Sequence, residues 1–225
     1  MSKCESCIAK QLNSLNAMTT EELRKVSACK TTRFYKKGDI IFDEGESLHG
    51  VYCVRSGVCK LTKLSANGKD HTVKLLGKGE LLGQRSIISD ERTNLSAVAL
   101  NDIELCFVPK DQIITPLHEN QNFSFDVLQN LAKDLRSAED DLINMAQKSV
   151  KQRMAETLIY IQHVFGVDSS GALNVILSRE DYASIVGTAT ESAIRILSQF
   201  KKEKLIATSG KHITITDIEG LKRVD

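Results

Sequence analysis

Residues Leu177–Thr216 read LSREDYASIVGTATESAIRILSQFKKEKLIATSGKHITIT. Two short helical patterns meet at Gly187. Ser178 can cap the first, and Thr188 or Thr190 the second. Ile213 and Ile215 then alternate with Thr214 and Thr216, the period of a strand. Ala183, Ile185, Val186, Ala193, Ile196, Leu197 and Phe200 fall at helical spacing and are expected to hold the two helices together. Helix, turn, helix and hairpin in that order predict a winged helix-turn-helix, a shape that sets one helix into the DNA major groove.

Upstream, Leu128, Leu135 and Leu142 form one seven-residue series, and Leu131, Ala138 and Met145 another. The result is an a/d seam over about three heptads, with charged residues outside it. Such a seam serves an intramolecular core or a dimer interface. Its length and regularity favour the dimer, and two-fold DNA half-sites need two readers one turn apart. A further helix is predicted over Val150 to Val164, followed by a loop at Asp168-Ser169-Ser170-Gly171.

Between residues 30 and 110 the period changes. Apolar and polar residues alternate over Thr32-Phe34, Ile40-Phe42, Val51-Cys53, Val58-Leu61, Thr72-Leu75, Leu95-Val98 and Leu105-Val108. Glycines punctuate these runs, and Asn67-Gly68 suits a hairpin turn. Many short strands joined by glycine turns predict an antiparallel barrel or jelly roll. Residues 1–28 have helical spacing through Leu12, Leu15, Leu23 and Val26, with Thr19 or Thr20 as a cap. Four segments result: a helical start (1–28), a β-roll (29–117), a dimerisation helix (118–147) and a winged helix-turn-helix (148–225). The expected class is α+β, an N-terminal double-stranded β-helix (jelly roll) joined to the C-terminal reader by a long helix.

Bulk composition narrows the function. The chain has 225 residues, 41% hydrophobic and 26% charged, with a net charge of +1. No global field draws in nucleic acid, so DNA binding needs a local patch. Arg195, Lys201, Lys202, Lys204, Lys211 and His212 supply one, diluted by Glu191 and Glu203. No apolar run reaches the roughly 18 residues of a membrane span. The MSKCESC start has no apolar segment after its lysine, which argues against a signal peptide and for a cytoplasmic location. Six cysteines in that setting read as thiols rather than a disulfide frame.

The chain resembles the Crp/Fnr family of bacterial transcription regulators over nearly its whole length. Lys37-Gly38-Asp39-Ile40-Ile41-Phe42-Asp43-Glu44-Gly45-Glu46 resembles that family's first β-roll hairpin, and Val54-Arg55-Ser56-Gly57-Val58-Cys59-Lys60 its second. Gly187 through Arg195, with Ile196-Leu197 and Phe200, resembles its recognition helix. The resemblance implies a homodimer that binds a palindromic duplex, works with RNA polymerase and performs no catalysis. It places base contacts on Glu191 and Arg195, with Thr190 beside them. Arg offers paired donors to guanine and Glu can accept from cytosine, and i,i+4 spacing puts both on one helical face. Where members resembling the oxygen sensor carry a serine, this chain has Ile194, which can only pack. Ser178, Arg179, Ser192 and Lys211 are the candidate phosphate contacts, which set register rather than sequence preference.

The family's nucleotide binders use a phosphate cassette in the β-roll. The resemblance puts Gly83-Gln84 on its Gly-Glu pair and Arg92-Thr93 on its Arg-Ser pair, with Gly79-Glu80 as a rival start. The adenine and phosphate partners on the dimer helix fall on Ala138 and Asp134. Alanine has no hydroxyl and aspartate repels a phosphate, so cyclic AMP is not the favoured effector. The oxygen-sensing members hold an iron–sulfur cluster through three N-terminal cysteines and one in the β-roll. Cys4, Cys7 and Cys106 stand at matching places, Asn13 stands where the third should be, and Cys29 is out of register. An iron–sulfur cluster, a three-thiolate zinc site, a thiol switch at Cys4 and Cys7, and plain structural thiols all stay open. Cys53 and Cys59 lie in strand patterns and read as core. The imidazoles of His49, His71 and His118 have no spacing that singles out a haem ligand. A rival from another class is an effector-independent β-roll interaction module.

Overall fold

A computed structural model describes residues 7, 11, 13–65, 68 and 70–225. Cys4, Leu12 and Asn67, candidates named above, lie outside the described residues. The chain divides into two compact units, one of Met1–Lys63 with Lys74–Ser137 and one of Leu64–Val73 with Ala138–Asp225.

The first unit opens with a 3-10 turn, Ser14–Ala17, and α1, Thr20–Cys29. Thr19 starts α1 in a capping box, taking the Glu22 amide while the Glu22 carboxylate accepts from the Thr19 amide at 2.6 Å. Eight strands follow along the chain, the Leu64–Val73 end of the β4–β5 pair belonging to the second unit: β1 Thr31–Tyr35, β2 Ile40–Phe42, β3 Gly50–Ser56, β4 Cys59–Leu64, β5 Asp70–Leu76, β6 Leu81–Leu82, β7 Ser96–Ala99 and β8 Ile103–Pro109. They form two four-stranded sheets, ordered β1-β8-β3-β6 and β2-β7-β4-β5. A short helix, α2 (Gln84–Ser89), sits between β6 and β7. The seven alternating runs seen in sequence all became strands. Only β6 went unread, because two residues carry no period.

Alternation along β3 and β8 sorts side chains onto two faces. Tyr52, Val54 and Leu105 pack inside the roll with Phe42, Leu76, Leu82 and Ala97. Val51 and Val108 face the other way, onto Leu15, Leu23, Val26, Phe123 and Val127. Each such side chain, fully buried, contributes about 1.5–3 kcal/mol against conformational entropy.

The helical stretch after β8 is two helices, α3 (Asp111–Glu119) and α4 (Gln121–Gln147). Asn120 leaves helical geometry between them, and its side chain accepts from the Phe123 amide at 3.1 Å. On α4, Leu128, Leu135 and Leu142 are 62%, 62% and 72% exposed, so the described residues leave most of the first heptad series uncovered. Ala138 and Met145 are exposed too, whereas Leu131 packs against the cluster around Phe123. Phe125 and Ile143 add exposed apolar area that the two series omitted.

In the second unit α5 (Val150–Phe165) buries Met154, Leu158 and Ile161, spaced by four and three residues. It packs with α6 (Arg179–Val186), α7 (Thr190–Lys202) and α8 (Ile218–Lys222). A two-stranded hairpin completes it, β9 (Ile206–Ser209) with β10 (His212–Ile215). The closing α8, which buries Leu221, was not foreseen from a five-residue segment.

Candidate DNA interface and sensor pocket

Ser178 starts α6 in a capping box with Asp181: it takes the Asp181 amide at 3.0 Å, and its hydroxyl donates to the Asp181 carboxylate at 2.7 Å. Its side chain is therefore engaged in the helix start. Gly187 ends α6 in the left-handed region, at φ +66. A Cβ added there would also come within 3.4 Å of Met145 Sδ. The cap of α7 is Ala189, which makes no side-chain cap bond, and this corrects the expectation of Thr188 or Thr190. Thr190 instead opens the helix, with Glu191 next in its first turn, where a negative charge meets the positive end of the helix.

The faces of α7 are cleanly divided. Ala193, Ile196, Leu197 and Phe200 are buried, with Phe200 fully so. Glu191, Ile194 and Arg195 are exposed, and Thr190 and Ser192 are half-buried. Among the described residues neither Glu191 nor Arg195 is drawn into a salt bridge. Arg179 lies beside the hairpin turn, its Nη2 3.4 Å from the Gly210 carbonyl. Its Nη1 is buried without a hydrogen-bond partner. Lys211, exposed, follows Gly210 on the same turn. Ser184, in the middle of α6, takes the Thr72 amide at 2.8 Å and donates to the Asp70 carbonyl at 2.8 Å.

The residues expected to form an effector site lie around α2. Gly83 precedes it at φ +81, and a Cβ there would meet Leu48 Cδ1 at 2.5 Å. Gln84 is its first residue. Arg92 does not pair with a neighbouring acid; its Nη1 donates to the Gly45 carbonyl at 2.9 Å. Thr93 is buried and donates to the Asp43 carbonyl at 2.6 Å. Both thus hold the loop after β2. Lys74 on β5 spans two acids, 3.0 Å from Asp134 and 3.7 Å from Glu80. Burial pushes the Glu80 carboxyl above its usual range, offset by the Gly77 amide, which donates to it at 2.7 Å.

The thiols fall differently from the sequence reading. Cys106 on β8 is directly opposite Cys53 on β3, and Cys7 packs against both. Asn13 occupies the third place as expected, donating to Cys53 Sγ at 3.4 Å and to the Gly79 carbonyl at 2.6 Å. Cys53 was read as ordinary core, and its partner could have been found only by pairing β3 with β8. A cubane cluster takes four thiolates. Among the described residues no group of three cysteine, histidine or acidic side chains is spaced to hold a metal ion. Cys4, the remaining candidate ligand, lies outside the described residues.

Comparison with known proteins agrees with this geometry. Residues 32–120 match the cyclic nucleotide-binding domain, and residues 152–224 match the Crp-like helix-turn-helix domain. The anaerobic regulatory protein of Bacillus subtilis is 28% identical over 193 residues, covering 84% of this chain and 81% of that protein. A CRP-like cAMP-activated global transcriptional regulator of Mycobacterium tuberculosis is 26% identical, covering 84% and 85%. FixK2 from Bradyrhizobium japonicum has the same fold, with a TM-score of 0.78 at 23% identity over 87% of this chain and 97% of that one. This chain belongs to the Crp/Fnr family: it is a DNA-binding transcription regulator with a sensing domain. Members of that family are regulators rather than enzymes. Among the described residues no helix is long and apolar enough to cross a membrane.

Proposed function

We propose that the protein is a cytoplasmic homodimer that reads a palindromic DNA site through Glu191 and Arg195 and works with RNA polymerase. The observation that carries this reading is the split of α7: an apolar face spent on packing, and Glu191 and Arg195 left exposed one turn apart. Thr190 lies beside them at the helix start, the end that meets base edges. Arg179, Ser192 and Lys211 serve the phosphates. Arg179 reaches the hairpin turn through Nη2, which places it next to exposed Lys211. Ser178 contributes its helix start rather than a free hydroxyl.

The second copy seats on α4 through Leu128, Leu135 and Leu142, extended by Ala138 and Met145. Leu131 supports the seam from beneath. An exposed leucine stripe of this length on a long helix is otherwise a solubility cost.

The effector is not cyclic AMP. Arg92 and Thr93 are occupied by backbone carbonyls, Gln84 replaces the ribose-binding acid, and Asp134, paired with Lys74, stands where the resemblance puts the phosphate partner. Selection of bound fragments from a random duplex library tests the reading. Enrichment of a two-fold symmetric site is expected. Recovery of no site, or of an asymmetric one bound by a monomer, would overturn it.

A further inference from the structure

The described cysteines differ in surroundings. Cys59 is inside the roll, its thiol turned to the Leu76 carbonyl at 3.9 Å. Burial, reinforced by the Glu80 charge, pushes that thiol up to about 12, so it is inert. Cys29 is exposed at the end of α1. Cys53 and Cys106 are unlike either. They are exact register partners in β3 and β8, on the face that carries Val51 and Val108. They are 5% and 6% exposed, and half-buried Cys7 packs against them. A small cavity beside them is also lined by Leu15, Lys30 and Arg55.

We propose that Cys53 and Cys106 are a redox-active dithiol that closes to a cross-strand disulfide when a hydroperoxide enters past Cys7. The geometry already favours closure. Opposed residues of an antiparallel pair have Cα atoms about 4.5 or 5.5 Å apart, within the roughly 4.4–6.8 Å that a disulfide spans. Their Cβ atoms, about 4.5–5.5 Å apart, need to approach by about one ångström. Lys30 and Arg55 line the same cavity, with Arg55 shared with Glu104 at 2.5 Å.

The chemistry balances. One thiolate attacks a peroxide oxygen; the S–O bond forms, the O–O bond breaks, and the other oxygen leaves as an alcohol or water after protonation. The second thiolate then attacks the sulfenic sulfur; the S–S bond forms and the hydroxyl leaves as water. Two thiols lose two hydrogens in all, and the peroxide is reduced by two electrons. This dithiol is independent of the DNA reading.

The test uses the full-length reduced protein and hydrogen peroxide at one equivalent. Remaining thiols are then alkylated and the digest is read by mass spectrometry. A Cys53 peptide joined to a Cys106 peptide, two hydrogens lighter than the pair and released by dithiothreitol, is expected. Cys59→Ser should keep that link and Cys106→Ser should lose it. Recovery of Cys53 and Cys106 separately alkylated from the oxidised wild-type protein, or linked to Cys4 or Cys7 instead of to each other, would overturn the proposal.

Discussion

Lys74 Nζ lies 3.0 Å from Asp134 Oδ1, joining β5 to the middle of α4. The same ammonium is 3.7 Å from Glu80. Both partners of the Lys74–Asp134 pair are partly exposed, so it adds at most about 1 kcal/mol to stability. Its importance is positional. The Lys74 cation is already matched by two acids of the chain.

Cyclic AMP should therefore not bind. Calorimetric titration of the purified protein is expected to give no saturable heat up to millimolar ligand. A fitted one-to-one isotherm in the micromolar range would reverse the conclusion that the pocket's polar groups are satisfied internally.

Glu80 gives a pH dependence with a definite sign. Burial raises its folded-state pKa above the unfolded value, so the native chain holds that proton more tightly. Ionisation then removes stability as pH climbs from the ordinary carboxylate pKa, about 4.3, through the raised one, and the loss is complete above it. Glu80→Gln keeps an acceptor for the Gly77 amide and carries no charge. Its melting temperature should exceed the wild type's near neutrality, and the gap should close in acid. A variant less stable at every pH would show that the Lys74 contact outweighs burial.

Arg195→Ala should lose about 1–3 kcal/mol of discrimination at one base pair in each half-site. Gel shifts over a palindrome varied at single positions would show a flattened preference there and unchanged preferences elsewhere. Equal loss at every position would mean that Arg195 meets phosphate.

For Arg179→Ala the expected pattern is the opposite. Affinity should fall uniformly across sequences, and the slope of log affinity against log salt should drop by about one for each phosphate contact removed. An unchanged slope would confine this arginine to bracing the Gly210 turn.

Leu135→Glu puts a carboxylate in the proposed seam twice, once from each copy. Burying it costs several kcal/mol, so sedimentation should show monomers where the wild type is dimeric. The melting temperature should hold, since Leu135 is already 62% exposed in the single chain. Dimers of undiminished affinity would move the interface elsewhere.

Periodicity exposed most of this architecture before any coordinates. Alternation marked every strand long enough to show it, and the Leu128, Leu135 and Leu142 series marked a face that this chain leaves bare. What stayed hidden depended on contacts distant in sequence. Leu131 shares its helix with the seam, but the neighbouring Phe123 cluster claims it. Cys53 looked like filler because its opposite residue lies more than fifty positions away. At α7 the threonines have the right chemistry to cap, yet the backbone turns helical at Thr190 and leaves Ala189 at the cap, and side-chain type alone does not fix that boundary.

The partition of α7 also bears on how such a protein changes its targets. Gly187 is committed by its backbone angle and by the nearby Met145, and Phe200 by its complete enclosure. Glu191, Ile194 and Arg195 carry no comparable obligation. Under the proposed DNA reading, a lineage could rewrite its operator letters by exchanging exposed side chains of α7 while the scaffold that presents them stays unaltered.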